Sequence, residues 1–135
     1  MTAAMWLFGI GGAALIGIGG FFVFARPAFL PEDLRYLQRT GADVDAAVPR
    51  LRRWLRLVFT VLGGYALATG TLTVYLAVTQ VRHGNTSAVV VLAVAGVVSI
   101  GVMIVVNFVL RSAFRWPLLA VGAVWVTATL APVMF

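Results

Sequence analysis

The sequence predicts an all-α integral membrane fold: four transmembrane helices in an up-down antiparallel bundle, with both termini outside and a short amphipathic helical segment on the cytoplasmic side. Three observations predict it. Only 10% of the 135 residues are charged while 62% are hydrophobic, and the mean hydropathy is +1.05. Residues 3–25, 57–81, 85–110 and 116–135 carry no charge at all. The arginines crowd into two of the three connections between these runs. A soluble domain usually carries about 25% charged residues to keep its surface wetted. Ten basic and four acidic side chains cannot do that here, so lipid must face much of the chain. One domain, 1–135, is expected.

The first span is expected at about 3–25. Its ten Leu, Ile, Val and Phe residues contribute roughly −3 to −6 kcal/mol on the insertion scale, and no charge opposes them. A cleaved leader would begin with basic residues and have a shorter apolar core. "MTAAMWLFGIGG" has no basic residue, so the span is expected to stay attached. Helices in lipid associate where small residues let backbones approach. Gly9, Ala13, Gly17 and Gly20 form such a stripe, expected to pack inside the bundle or to face another subunit.

The segment 26–56 holds all four acids. Pro31, Glu32 and Asp33 suit a first helical turn, where fixed φ and the helix dipole favour them. Leu34, Tyr36 and Leu37 give that helix an apolar side, and Gly41 is the expected stop. Asp43 is expected to cap a second short turn, with Asp45 in its first turn. A further helix is expected to start at Pro49 and run on into the membrane. Its opening, "RLRRWLRLVF", has helical amphipathicity, with Leu51, Trp54, Leu55 and Val58 on one face and Arg50, Arg52, Arg53 and Arg56 on the other. These residues, with Arg111, Arg115 and Trp116, are expected to sit at the inner interface against anionic headgroups, each arginine contributing about 1 kcal/mol.

The second span is expected at 57–81, with Ala66, Gly70, Thr73 and Ala77 as its small-residue stripe. The third, at about 86–110, includes "AVVVLAVAGVVSIGVMIVVNFVL", whose valines favour strand. A membrane strand needs only about 9–11 residues of alternating polarity and must close into a barrel. This run has no alternation, so helix is expected. Asn107 is the intramembrane polar residue of note, expected to bond between helices. The fourth span, 116–135, repeats the small-residue pattern at Ala123, Thr127 and Ala131. Trp6, Trp54 and Trp116 read as interfacial belt residues and Trp125 as packing.

Arg26, Arg35, Arg39, Arg50, Arg52, Arg53, Arg56, Arg111 and Arg115 share one side of this topology; Arg82 stands alone on the other. The positive-inside rule therefore puts the loops 26–56 and 111–115 in the cytoplasm. Arginine without lysine, with abundant Ala, Gly and Val, suits a GC-rich bacterial genome, and hence a multi-pass protein of the bacterial inner membrane. No metal, cofactor or catalytic residue is expected: cysteine is absent, there is one histidine, His83, and the acids sit at helix starts. No base-reading fold accompanies the arginines, so nucleic acid is not an expected partner. Ion-coupled pumps keep ionisable groups within the membrane, and these runs have none. The expected function is a non-catalytic accessory or assembly subunit of a larger membrane complex, a transporter or respiratory assembly. Its expected partners are anionic inner-leaflet lipids and other membrane subunits. The alternative is a small homo-oligomeric channel or carrier for neutral or lipidic molecules.

Overall fold

The computed structural model describes residues 1–134; Phe135, the last residue of the expected fourth span, lies outside the described residues. The described residues are all-helical, with no strand among them. Four helices are long and apolar enough to cross a membrane: Thr2–Phe24, Leu51–Val81, Thr86–Val109 and Arg115–Met134. In chain order the elements are α1 (Thr2–Phe24), α2 (Pro31–Leu37), α3 (Gly41–Ala47), α4 (Leu51–Leu76), α5 (Thr86–Gly96), α6 (Val102–Val109) and α7 (Arg115–Met134). A π turn, Ala77–Val81, extends α4, and a second, Val97–Gly101, joins α5 to α6.

Several boundaries move from their expected places. The α2 helix ends at Gln38, whose φ of 54° breaks the helix three residues before Gly41. Gly41 instead opens α3. Its cap is Thr40, whose Oγ1 accepts from the Asp43 N–H at 3.1 Å while the Asp43 carboxylate accepts from the Thr40 N–H at 3.1 Å. Pro49 precedes rather than opens the next helix: Val48 is extended and α4 begins at Leu51. The third span is not one regular helix, because the ladder widens at Val97–Gly101. The indole of Trp125 presses on Gly96 just before that turn, so closely that an added methyl group would overlap it. Wide turns of this kind form where a neighbour intrudes on a helix.

The α1 helix is the middle of the assembly, packed on α4 and on α7, and α7 in turn packs on α5 and α6. Its buried line is Ala4, Phe8, Gly11, Gly12, Leu15 and Gly19, at helical spacing. Backbones touch at two places. A methyl group on Gly12 would lie 2.9 Å from the Gly70 carbonyl, and one on Gly70 would lie 2.6 Å from that of Gly12. Gly19 and Gly63 repeat the arrangement at 2.7 and 2.8 Å. Pairing 12 with 70 and 19 with 63 makes the two helices run in opposite directions. Gly11, next to Gly12, serves the other neighbour: a methyl there would lie 2.7 Å from the Trp125 ring. Trp125 is buried, meets Phe8 edge-on at 5.8 Å, and donates through Nε1 to the Leu92 carbonyl at 2.8 Å.

Most of the core gathers at the end that carries Met1 and the turn 82–85. Ala4, Phe8, Ala77, Val81, Ala88, Val89, Leu92, Trp125, Ala128 and Ala131 are all buried there. At the other end α2 lies beside the start of α4 and the end of α6, over a recess lined in part by Leu55, Phe59 and Leu110. Outside this core the long helices expose apolar side chains, among them Val61, Leu72, Val105 and Val126, with Val97 at 72%. Water does not support a surface of that extent and composition.

Gly12→Ala and Gly70→Ala should each destabilise the fold by about 1–3 kcal/mol, as overpacking does. Gly17→Ala should not destabilise it, because its added methyl meets nothing within 4 Å and alanine favours helix over glycine. Unfolding in mixed micelles with rising SDS measures all three.

Candidate functional site

Chemistry in this chain gathers at the arginine-rich end, built from the connection 26–50, the start of α4 and the turn between α6 and α7. The first anchor is Arg26, just past α1, with a side chain only 8% exposed. Its Nη2 lies 3.2 Å from Asp33 Oδ2, and its guanidinium lies 3.6 Å from the centroid of the Phe59 ring and 5.2 Å from that of Phe22. A guanidinium over aromatic faces keeps an electrostatic partner after losing water. Asp33 also accepts from the Leu30 N–H at 2.9 Å, which fixes the start of α2.

Two further ties hold α2 to the distant turn. Ser112, 1% exposed, donates to Glu32 Oε1 at 2.7 Å and accepts from the Phe114 N–H at 3.1 Å. Arg35 donates to the Arg111 carbonyl at 3.1 Å and more weakly to that of Leu110. These are end-of-helix carbonyls that α6 leaves unpaired. Arg111 itself has a φ of 52°, the left-handed turn that ends α6 and swings the chain into α7. On the other flank Arg52 forks onto Asp45 through Nε at 3.0 Å and Nη2 at 3.1 Å, with Phe29 beneath its guanidinium. The bidentate geometry is the strong form of this pairing, although the pair is half exposed.

All four acidic side chains are thereby engaged: Glu32 by Ser112, Asp33 by Arg26, Asp43 by Thr40 and Asp45 by Arg52. The arginines read from the sequence as one face consequently divide. Arg52 is taken inward. Arg50, Arg53 and Arg56 are exposed, and no carboxylate or carbonyl among the described residues bonds to them. Trp54 also leaves its expected face: Leu51, Leu55 and Val58 are half-buried, but Trp54 is 58% exposed and stands beside Arg50 and Arg53. Arg50, Arg53, Trp54 and Leu57 line an open recess of about 460 Å³. A smaller one of about 220 Å³ lies under α2, lined by residues including Phe29, Tyr36, Leu55, Phe59 and Leu110. Arg115 stacks near Trp116 and Phe108 at 5.3 and 5.8 Å, and its Nε is buried with no hydrogen-bond partner. Trp116 is exposed beside it.

Inside the spans Trp125 bonds across to Leu92, whereas amide and hydroxyl side chains are turned onto their own helices. Asn107 Nδ2 donates to the Met103 carbonyl at 2.8 Å, four residues back, rather than across to a neighbouring helix. Thr60, Thr69, Thr71, Thr73, Ser99 and Thr127 do the same through their hydroxyls. Such bonds satisfy the side chain without creating a polar path. Of the small-residue stripes, Ala66, Gly70, Thr73 and Ala77 are buried and Gly70 meets α1. Gly9, Ala13, Gly17 and Gly20 point away from the rest of the chain: methyl groups on the three glycines would meet nothing within 4 Å, and Ala13 is exposed. In α7 the buried line is Leu118, Trp125, Ala128 and Ala131, so Ala123 and Thr127 face outward and only Ala131 of that stripe is internal.

The structure also brings forward residues the sequence reading passed over. Arg26 was counted only as a charge. Gly11, Gly12, Gly19 and Gly63 were overlooked, although the pairs 12/19 and 63/70 each repeat at seven residues, two turns of helix. The Glu32–Ser112 tie spans 80 residues and left no signal in spacing. Among the described residues no three of His, Cys, Asp and Glu gather as metal ligands would. What the arrangement can do chemically is bind anions and pack helices.

Hydrogen bonds from the Thr40 backbone N–H, then from its side chain, hold the Asp43 carboxyl below its ordinary value of 3.8. The cap on α3 is therefore complete above 3.8 and is lost as pH falls through the lower, folded value. A carbonyl-carbon NMR titration should place the Asp43 midpoint below 3.8, and Thr40→Val should move it back toward that value. Ser112→Ala strands the Glu32 carboxylate against the turn. A hydrogen bond to a charged group contributes about 1.5–3 kcal/mol, so amide exchange in α2 should quicken by about 10- to 100-fold, measured by hydrogen–deuterium exchange.

Compared with protein-family models, with curated proteins and with solved structures, the chain matches none, so what it does has to be read from its own residues.

Proposed function

We propose that this chain is a non-catalytic accessory or assembly subunit of a larger membrane protein complex, embedded in the bacterial cytoplasmic membrane as an up-down antiparallel bundle with both termini outside. Four helices of spanning length and their outward apolar side chains support the membrane setting. The imbalance of nine arginines against Arg82 supports the orientation.

The observation that carries the accessory reading is the pair of glycine faces on α1. One, through Gly11, Gly12 and Gly19, is used up by α4 and α7. The other, Gly9, Ala13, Gly17 and Gly20, is smooth and open on the opposite side. In lipid, small residues offer an advantage only where another helix comes close. The neighbour on this face would be a helix of another subunit. Catalysis has little to work with: the acids are occupied in caps and ion pairs, and His83 lies exposed in a short turn near the Thr79 carbonyl. Intramembrane side chains that bond to their own helices give no support to a polar conduit through a single chain.

The test is affinity purification from native membranes in mild detergent. The expected result is a stoichiometric membrane partner with the wild type, and its loss in Gly17→Leu/Gly20→Leu while that variant keeps wild-type stability. Normal partner recovery by the variant would reject the face. A lone oligomer that passes neutral solutes in liposomes would reject the accessory role in favour of a homo-oligomeric channel or carrier.

A further inference from the structure

We infer that the start of α4 is a binding site for one anionic phospholipid, whose phosphate is held by Arg50 and Arg53 and whose acyl chain lies along the outward face of the same helix. The inference rests on the membrane reading above and gives the exposed arginines a defined ligand.

Charge accounting is the first argument. Each Asp and Glu side chain already has a partner among the described residues, and Arg26 and Arg52 absorb two of them. Arg50 and Arg53 are exposed and have no partner among the described residues, so both are free to take an anion from outside the chain. They stand three residues apart, one turn of helix, so both guanidiniums reach the same side and can converge on one phosphodiester. Arg50 is also the N-terminal cap residue of α4; its guanidinium can only donate, so the first N–H groups of the helix stay uncapped by it where the helix dipole favours an anion. Arg52, between them in sequence, is turned away onto Asp45. Of the exposed arginines at this helix start, Arg50 and Arg53 are the ones that line the recess beside Trp54.

Shape is the second argument. Arg50, Arg53, Trp54 and Leu57 line one open recess, so both guanidiniums stand beside an indole and an aliphatic side chain. Trp54 gives it an amphipathic wall suited to the headgroup level. From Leu57 the same helix face continues through Val61, Gly64, Ala68 and Leu72, at steps of four, three, four and four, all exposed. Gly64 and Ala68 make a shallow furrow between the larger side chains, and a methyl on Gly64 would meet nothing within 4 Å. A phosphate alone would satisfy the arginines and leave this furrow empty. A lipid uses both, with its polar and apolar parts in the order the helix offers them.

Native mass spectrometry of the detergent-solubilised chain, after exchange into mixed micelles of phosphatidylglycerol and phosphatidylcholine, tests this. The wild type should retain phosphatidylglycerol selectively. Arg50→Gln/Arg53→Gln should lower that preference by roughly 30-fold, from two contacts of about 1 kcal/mol each. The charge-matched control Arg39→Gln/Arg82→Gln should keep it. Gly64→Phe fills the furrow in open space and should also lower retention while unfolding like the wild type. Equal loss in both double variants would reduce the effect to net charge and overturn the site. Displacement by millimolar inorganic phosphate would overturn the acyl-chain contact and leave a simple anion site. Retention unchanged in Gly64→Phe would have the same meaning. Recovery of the wild type in a detergent-free aqueous wash of the membranes would instead sink the membrane reading itself, a separate result.

Discussion

The contact between α1 and α4 at Gly12/Gly70 and Gly19/Gly63 sets the rest of the structure. At both crossings the space that a side chain would need is occupied by the partner's backbone. Close approach of this kind lets dispersion and weak Cα–H···O contacts do the work that water expulsion does in soluble cores. Because the two crossings are seven residues apart on each helix, contact is sustained over two full turns. With α4 fixed there, α1 has one remaining inward edge, Phe8, Gly11 and Leu15, and on that edge Gly11 admits the ring of Trp125. The indole then reaches across to the Leu92 carbonyl and brings the third span into the core. Four long helices are thus organised by five glycines and one tryptophan.

The two ends of the molecule are held by different physics. Where Met1 and the turn 82–85 lie, apolar packing is continuous and all the long helices take part. At the other end α2 is tied to its neighbours by charge-assisted bonds: Arg26 to Asp33, Glu32 to Ser112, Arg35 to the carbonyls that end α6. Aromatic faces of Phe22, Phe59 and Phe29 lie against the guanidiniums and keep them ordered where water is partly excluded. Arg52 belongs to this internal lattice, while Arg50 and Arg53 are left facing outward.

Helix length and composition were legible in the sequence, because a run of apolar residues long enough to span hydrocarbon has few other uses. The spanning runs read as 3–25, 57–81, 86–110 and 116–135 correspond to Thr2–Phe24, Leu51–Val81, Thr86–Val109 and Arg115–Met134. Fine phasing was less legible. Gly9, Ala13, Gly17 and Gly20 and the set Gly11, Gly12 and Gly19 are both plausible stripes in a helix with six glycines, and only the position of the partner helices separates them. Local chemistry could have moved the α3 cap from Asp43 to Thr40, since Thr40 and Asp43 have the spacing of a reciprocal cap. The division of the arginines was not recoverable from a helical wheel. It depends on Asp45, which approaches Arg52 only after Val48 and Pro49 turn the chain.

The bonds that seat α2 join early and late parts of the chain, and this has a consequence for biogenesis. A ribosome releases α1 and α4 well before Ser112, so their glycine contacts can close while Glu32 still has no hydroxyl to meet. Arg35 likewise waits for the carbonyls of Leu110 and Arg111. The short surface helix therefore completes its contacts only after residues 110–112 have emerged, later than the pairing of α1 with α4.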